Sequence, residues 1–209
     1  MTNPITAPHF LCDGPPDADH RIILAHGAGQ PSSSPYMTRI AEGLAAHGIA
    51  VARFDFPYMR MHAETGSKRP PDRQPVLIEA WRQAFAAFGG KPVIGGKSMG
   101  GRMASLVADE IGAKGLVCLG YPFHPPGRPD KLRTEHLADI RTPTLILQGT
   151  RDPFGGRDEV GTYALSPAMR VAWIEDGDHS FKPRKASGRT EDQNMAEAVA
   201  AVAKFVTTL

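Results

Sequence analysis

Between Pro92 and Ser105 an apolar run, Pro92-Val93-Ile94, passes through Gly96-Lys97-Ser98-Met99-Gly100 into residues with helical spacing. A serine hydroxyl becomes a useful nucleophile when it is held exposed on a tight turn beside a base, and small flanking residues let a strand and a helix close around that turn. Ser98 is the candidate nucleophile, with Gly96 and Gly100 as its small neighbours. The same letters contain Gly-Lys-Ser, the end of a phosphate-binding loop. Such a loop needs Gly-x-x-x-x-Gly-Lys-Ser/Thr, so that its backbone N–H groups can wrap the phosphates. Here the first glycine position holds Lys91, Gly90 comes one residue too early, and residues 92 to 95 read as a strand, so the spacing argues against a nucleotide site.

A nucleophilic serine needs a base to take its proton and a carboxylate to orient that base. Eight histidines compete: His9, His20, His26, His47, His62, His124, His136 and His179. Active groups on a parallel sheet gather beyond the carboxyl ends of its strands. This favours His26, after the first clear strand, and His179, in the loop Glu175-Asp176-Gly177-Asp178-His179-Ser180-Phe181 after the last. His179 is preferred as base because its loop of small and polar residues can carry it over the sheet edge. His26 belongs to His26-Gly27-Ala28-Gly29, where glycines let backbone N–H groups face a reacting oxygen, and reads better as loop framework. Asp152, just past a strand end and followed by Pro153, is the leading acid; Asp158, Glu159, Asp176 and Asp178 are the alternatives. In the order Ser98, Asp152, His179 the three follow one of the known chain orders for this chemistry.

Positive charge near Ser98 would come from Arg60, His62, Lys97 and Arg102, the last one helical turn along from the serine. Such charge favours a carboxylate-bearing substrate. The competing expectation is that Lys97 and Arg102 pair with structural acids such as Asp55 or Asp109.

The elements that must position these groups follow an α/β rhythm, short apolar runs alternating with helical patterns, which predicts a mainly parallel sheet. The candidate strands are Arg21 to Ala25, Ile49 to Phe54, Pro92 to Gly95, Gly115 to Leu119, Thr144 to Gln148 and Arg170 to Ile174. Helices are expected from Ser34-Pro35, from Pro75 to the Gly89-Gly90 stop, after Ser98, and from the capping-box pattern Thr190-Glu191-Asp192-Gln193. The stripe Leu77, Ala80, Trp81, Ala84, Phe85 and Phe88 reads as core. The segments from Tyr58 to Arg73 and from Tyr121 to Pro129 read as connecting loops.

With 209 residues the chain suits one domain. Its 24 basic and 22 acidic residues are interspersed, which does not indicate nucleic-acid binding. Of the two cysteines, Cys118 lies in an apolar run, and a disulfide with Cys12 is not expected. The N-terminus has no basic-then-apolar leader and no window approaches 18 continuous apolar residues, so a cytoplasmic protein free of the membrane is expected. A monomer or a homodimer is the expected assembly. The spacing of His, Cys and acidic residues implies neither a metal nor another cofactor.

From HGAG at 26 to 29 through GKSMG, GTRDPFG at 149 to 155 and DGDHSF at 176 to 181, the chain resembles an α/β-hydrolase over about residues 20 to 209. Within that superfamily it is most similar to small, lidless members such as dienelactone hydrolases, and especially to a branch related to a subunit of the NSL chromatin acetyltransferase complex. The phrases FDFPYM at 54 to 59 and GGKSMGGRMAS at 95 to 105 carry this narrower match. The resemblance implies an α/β-hydrolase fold with a mainly parallel sheet of about six to seven strands, helices on both faces and no large lid. It also implies a Ser98–Asp152–His179 triad, with the N–H groups of Met99 and Ala28 as oxyanion donors. Residues 1–209 would form a single domain, with 1–19 as an edge strand or a poorly ordered segment, since only about 20 residues precede the first clear strand and the usual leading hairpin must be shortened. The expected chemistry is hydrolysis of a small ester or thioester, anionic if the cations near Ser98 face it. The alternative is a scaffold that has become a protein-interaction module, against which the intact serine, acid and histidine speak.

Overall fold

The computed structural model describes residues 8–209, and the part of the N-terminal expectation that concerns residues 1–7 lies outside them. Seven strands form one sheet: β1 (Phe10–Asp13), β2 (Arg21–Ala25), β3 (Ala50–Phe54), β4 (Val93–Lys97), β5 (Gly115–Leu119), β6 (Thr144–Gly149) and β7 (Met169–Ile174). They lie in the order β1-β3-β2-β4-β5-β6-β7. All neighbours are parallel except the edge strand β1, which runs antiparallel to β3 with Phe10 opposite Phe54. Among the described residues this four-residue strand is the first of the sheet.

Strands β2 to β6 are buried almost end to end, as a parallel sheet covered on both faces requires. On one face α1 (Pro35–Ala46) and α6 (Glu191–Thr207) pack Met37, Ile40, Leu44, Met195 and Val202 against Ile22, Leu24, Val117 and Leu145. The other face carries α3 (Gln74–Phe88) and α4 (Met99–Ile111), whose Leu77, Trp81, Met103 and Val107 meet Ile23, Ile94, Leu116 and Ile146. Helix α6 starts with the capping box read from the sequence, Thr190 Oγ1 accepting from Gln193 N while Gln193 Oε1 accepts from Thr190 N. No helix among the described residues is long and apolar enough to cross a membrane.

One connecting segment departs from expectation. Residues 57–65, read as loop, form α2 (Pro57–Thr65), with proline in the first turn and a left-handed Gly66 as its stop. Only Tyr58 and Met59 of this short helix are buried, so it lacks the repeated apolar stripe by which helices are recognised. Residues 121–129 carry no helix or strand, as expected of a connecting loop, but the segment after β5 packs into the core. Tyr121, Phe123 and Leu137 are fully buried, a 3-10 turn forms at Glu135–Ala138, and Tyr121 Oη donates to Arg133 O at 2.9 Å. A further short helix, α5 (Arg157–Val160), carries Asp158 and Glu159.

Trp81 is fully buried, edge-on to Phe54 with ring centroids 4.9 Å apart, and its Nε1 donates to Gly100 O at 3.3 Å. Trp81→Ala should lower the unfolding free energy by roughly 3–5 kcal/mol, read from denaturant titration.

Candidate active site

Ser98 falls between the last residue of β4 and the first of α4, with φ 50° and ψ −114°. For a residue with a Cβ such a conformation costs of order 1–3 kcal/mol and persists only where its surroundings enforce it. Here Ser98 N donates to Leu119 O on β5 at 3.0 Å, and Arg102 N donates to Ser98 O at 3.0 Å as α4 begins. A side chain at Gly100 would stand 2.5 Å from Ala25 O and 2.6 Å from His26 O, so only glycine lets α4 approach the end of β2 this closely. Met99, as the first residue of α4, carries an N–H with no intrahelical acceptor.

The acid and base stand in the loops that follow β6 and β7. His179 Nδ1 lies 2.8 Å from Asp152 Oδ2, and the Asp152 side chain has no exposed surface. Asp152 is held in turn: Phe154 N donates to Oδ1 at 2.9 Å and Gln148 Nε2 to Oδ2 at 2.9 Å. Fully buried Gln148 also bridges to β5, accepting from Tyr121 N at 2.8 Å and donating to Tyr121 O and Gly155 O. The histidine loop is bracketed by two left-handed residues, Asp176 (φ 51°) and Phe181 (φ 69°). Asp176 accepts from Arg184 N, Nε and Nη2, and Arg184 holds its carboxyl below the usual range. Asp178 Oδ1 accepts from Ser180 N and Lys182 N. Of the alternative acids, these two shape the loop, Glu159 accepts from Tyr163 Oη, and Asp158 is exposed.

His26 is fully buried and serves the loop that follows β2. Its Nε2 accepts from Phe56 N at 3.1 Å, which leaves the proton on Nδ1, 2.6 Å from Gly27 O. Burial lowers its pKa, in keeping with a neutral ring. Tyr58 Oη donates to Ala28 O at 2.9 Å, and Ser32 N donates to Asp55 Oδ1 at 2.7 Å. Buried Arg53 ties Ser32 O and Thr38 Oγ1 to Asp13.

A cavity of about 490 Å³ opens at these strand ends, and Ser98, His179, Ala28, Lys97, Tyr36 and Phe154 are among its lining residues. Of the four cations expected near Ser98, Lys97 alone lines it. Arg60 faces a different hollow with Asp55 and Glu64, His62 sits on α2, and Arg102 reaches Gln74 Oε1 on α3 at 3.4 Å. Arg102 thus points across to α3 although its backbone follows Ser98 by one turn. Neither structural pairing is realised either, because Asp55 serves Ser32 N and Asp109 accepts from Arg141 N and Thr142. Burial pushes Lys97 down from 10.5 to about 8, with Asp152 and Asp178 opposing the fall.

Sequence reasoning did not reach Gln148, Tyr36 or Phe154. Gln148 ends a predicted strand only four residues before Asp152, a polar side chain closing an apolar run, and that was its one visible signal. Phe154 lies 4.2 Å from the His179 ring, centroid to centroid.

The chain belongs to the alpha/beta hydrolase domain family, whose model matches residues 18–207. Among solved structures it is similar to dienelactone hydrolase from Anabaena variabilis, at 20% identity and a TM-score of 0.69 over 95% of this chain and 96% of that one. It is also similar to a serine hydrolase without a lid from Xanthomonas campestris, at 18% identity and a TM-score of 0.60 over 95% and 94%. A monoacylglycerol lipase from Paleococcus ferrophilus gives 16% identity and a TM-score of 0.70 over 96% and 98%. At these identities the likeness is one of fold.

Gln148→Leu would strip one partner from Asp152, leave Tyr121 N without its acceptor and Gly155 O without its donor, and an orphaned buried group costs about 1–3 kcal/mol. A loss of about 2–4 kcal/mol in unfolding free energy is expected, from two such groups with partial relaxation. Lys97 supplies a second check. Between pH 8 and 10.5 the unfolded chain holds a proton on this residue that the folded chain lacks, so its contribution makes stability rise with pH across that window. The stability difference between the wild type and Lys97→Met, followed by denaturant titration from pH 7.5 to 10.5, should move in the wild type's favour.

Proposed function

We propose that this protein is a serine hydrolase that cleaves a small ester or thioester through an acyl-enzyme. The observation that carries the reading is the hydrogen-bonded pair of His179 and buried Asp152, opening onto the same cavity as a serine on a strained elbow. With Nδ1–H facing Asp152, the other ring nitrogen is left to accept the Ser98 proton as Oγ attacks the carbonyl carbon. The tetrahedral oxyanion is received by the N–H groups of Met99 and Ala28, a donor pair of which one member is typically worth ~3 kcal/mol. The imidazolium, stabilised by Asp152, returns the proton to the leaving alkoxide or thiolate. Water then loses a proton to His179 and attacks the acyl carbon, releasing the carboxylic acid and Ser98.

Tyr36, Met37, Pro35 and Phe154 give the cavity an apolar wall suited to a compact acyl group. Since Lys97 is the one of the four expected cations on this wall, neutral short-chain esters are the first substrates to offer. The narrower kinship with dienelactone hydrolases and the NSL-related branch rests on the FDFPYM and GGKSMGGRMAS phrases, and the cytoplasmic setting on the sequence alone.

Ser98→Ala should keep the fold, lose turnover by on the order of 10⁶ and abolish labelling by a fluorophosphonate probe, and Asp152→Asn should lose on the order of 10⁴. A Ser98→Ala protein that kept most of its esterase rate would remove Ser98 from the mechanism. A folded wild type that resists the probe would favour the non-catalytic interaction module.

A further inference from the structure

Lys97 is nine-tenths buried, immediately precedes the nucleophile, and donates from Nζ to the backbone carbonyl of His179. The groups facing its ammonium come from four elements. Tyr36 on α1 presents its ring with the centroid 5.5 Å from Nζ. Asp152 after β6 and Asp178 after β7 act on it as opposite charges. From the end of β5 comes Gly120, at φ 69°, where a side chain would stand 3.0 Å from Lys97 Nζ and 2.8 Å from His179 O. A residue other than glycine there would wedge the lysine away from the carbonyl.

We propose that Lys97 is a positioning residue, tying the strand that carries the nucleophile directly to the backbone of the base and so setting the reach from His179 to Ser98. The inference rests on the hydrolase reading for its kinetic consequence, but the tether itself is a property of the fold. His179 is otherwise anchored through its side chain to Asp152 and through its loop ends to Arg151, Arg184 and Asn194, all on the side away from β4. The contact with Lys97 spans directly from β4 to the residue that must meet Ser98. The rival role, an ammonium held out to receive a substrate carboxylate, fits less well. The charge already has a protein acceptor, an aromatic face and two carboxylates around it. A misplacement of about 1 Å in a catalytic group can cost on the order of 100-fold in rate, which sets the scale of the expected effect.

The test compares the wild type with Lys97→Met, which fills the same space without a donor, and Lys97→Gln, whose shorter amide falls short of the carbonyl. Backbone hydrogen exchange over residues 176–181, thermal melts, the rate of fluorophosphonate labelling, and kcat and KM on one neutral and one anionic ester are read on each. The expected result is faster exchange in the loop and slower labelling. With it should come a fall in kcat of about 10- to 100-fold on both esters with little change in KM, and a melting temperature that is held or raised because a buried charge has gone. A rise in KM confined to the anionic ester, with loop exchange unchanged, would overturn the tether in favour of substrate recognition. Unchanged exchange and unchanged kcat would overturn it outright, and so would failure of both variants to fold. Exchange that rises in the variants while the wild type neither labels nor hydrolyses would leave the tether standing and defeat the hydrolase reading instead.

Discussion

The chain must turn from strand to helix within one residue at Ser98, and the rest of the molecule is arranged around that strained turn. A backbone at φ 50° with a side chain in place stays there only because alternatives are closed. Leu119 O fixes the serine N–H, the missing side chain at Gly100 lets α4 lie against the end of β2, and Trp81 clamps Gly100 O from α3. Three central strands, β2, β4 and β5, and two helices thus converge on a single residue. The strain is local, whereas the packing that holds it runs through the apolar core on one face of the sheet.

Around the elbow the strand ends carry polar side chains, several of them buried, and burial demands that they be paired. The Asp152 side chain is buried, which is tolerable because His179, Gln148 and Phe154 N all meet it. Gln148 in turn satisfies the backbone of Tyr121, so the acid's environment extends across to β5. Lys97 adds a cation whose neighbours include the same carboxylate. The contacts link β4, β5 and β6 to the loop after β7, and the loss of Gln148 would leave buried backbone groups without their partners.

Much of this was legible in the residues themselves. The six parallel strands announced themselves as runs of Val, Ile and Leu, α6 as a capping box, and the elbow as glycines at fixed offsets from a serine. Helix α2 was not legible, because with only two buried residues it has no apolar period, and its start and stop signals, Pro57 and Gly66, occur equally in loops. The burial of the segment after β5 was hidden for a related reason. Its prolines signal a turn, but Tyr121 and Phe123 point inward only because β6 and α5 stand where they do.

By itself the amino-acid sequence determined which chemistry the residues allow and in what order along the chain they occur, since nucleophile, acid and base types and their flanking glycines are local properties. Only the tertiary structure decided which of the charged groups share a cavity. Lys97 and Arg102 stand five residues apart, yet one points along β4 into the hollow beside His179 and the other across α4 to α3. The difference lies in the direction in which strand and helix project their side chains, and that is set by how the two elements pack around Ser98 and not by their distance from it in sequence.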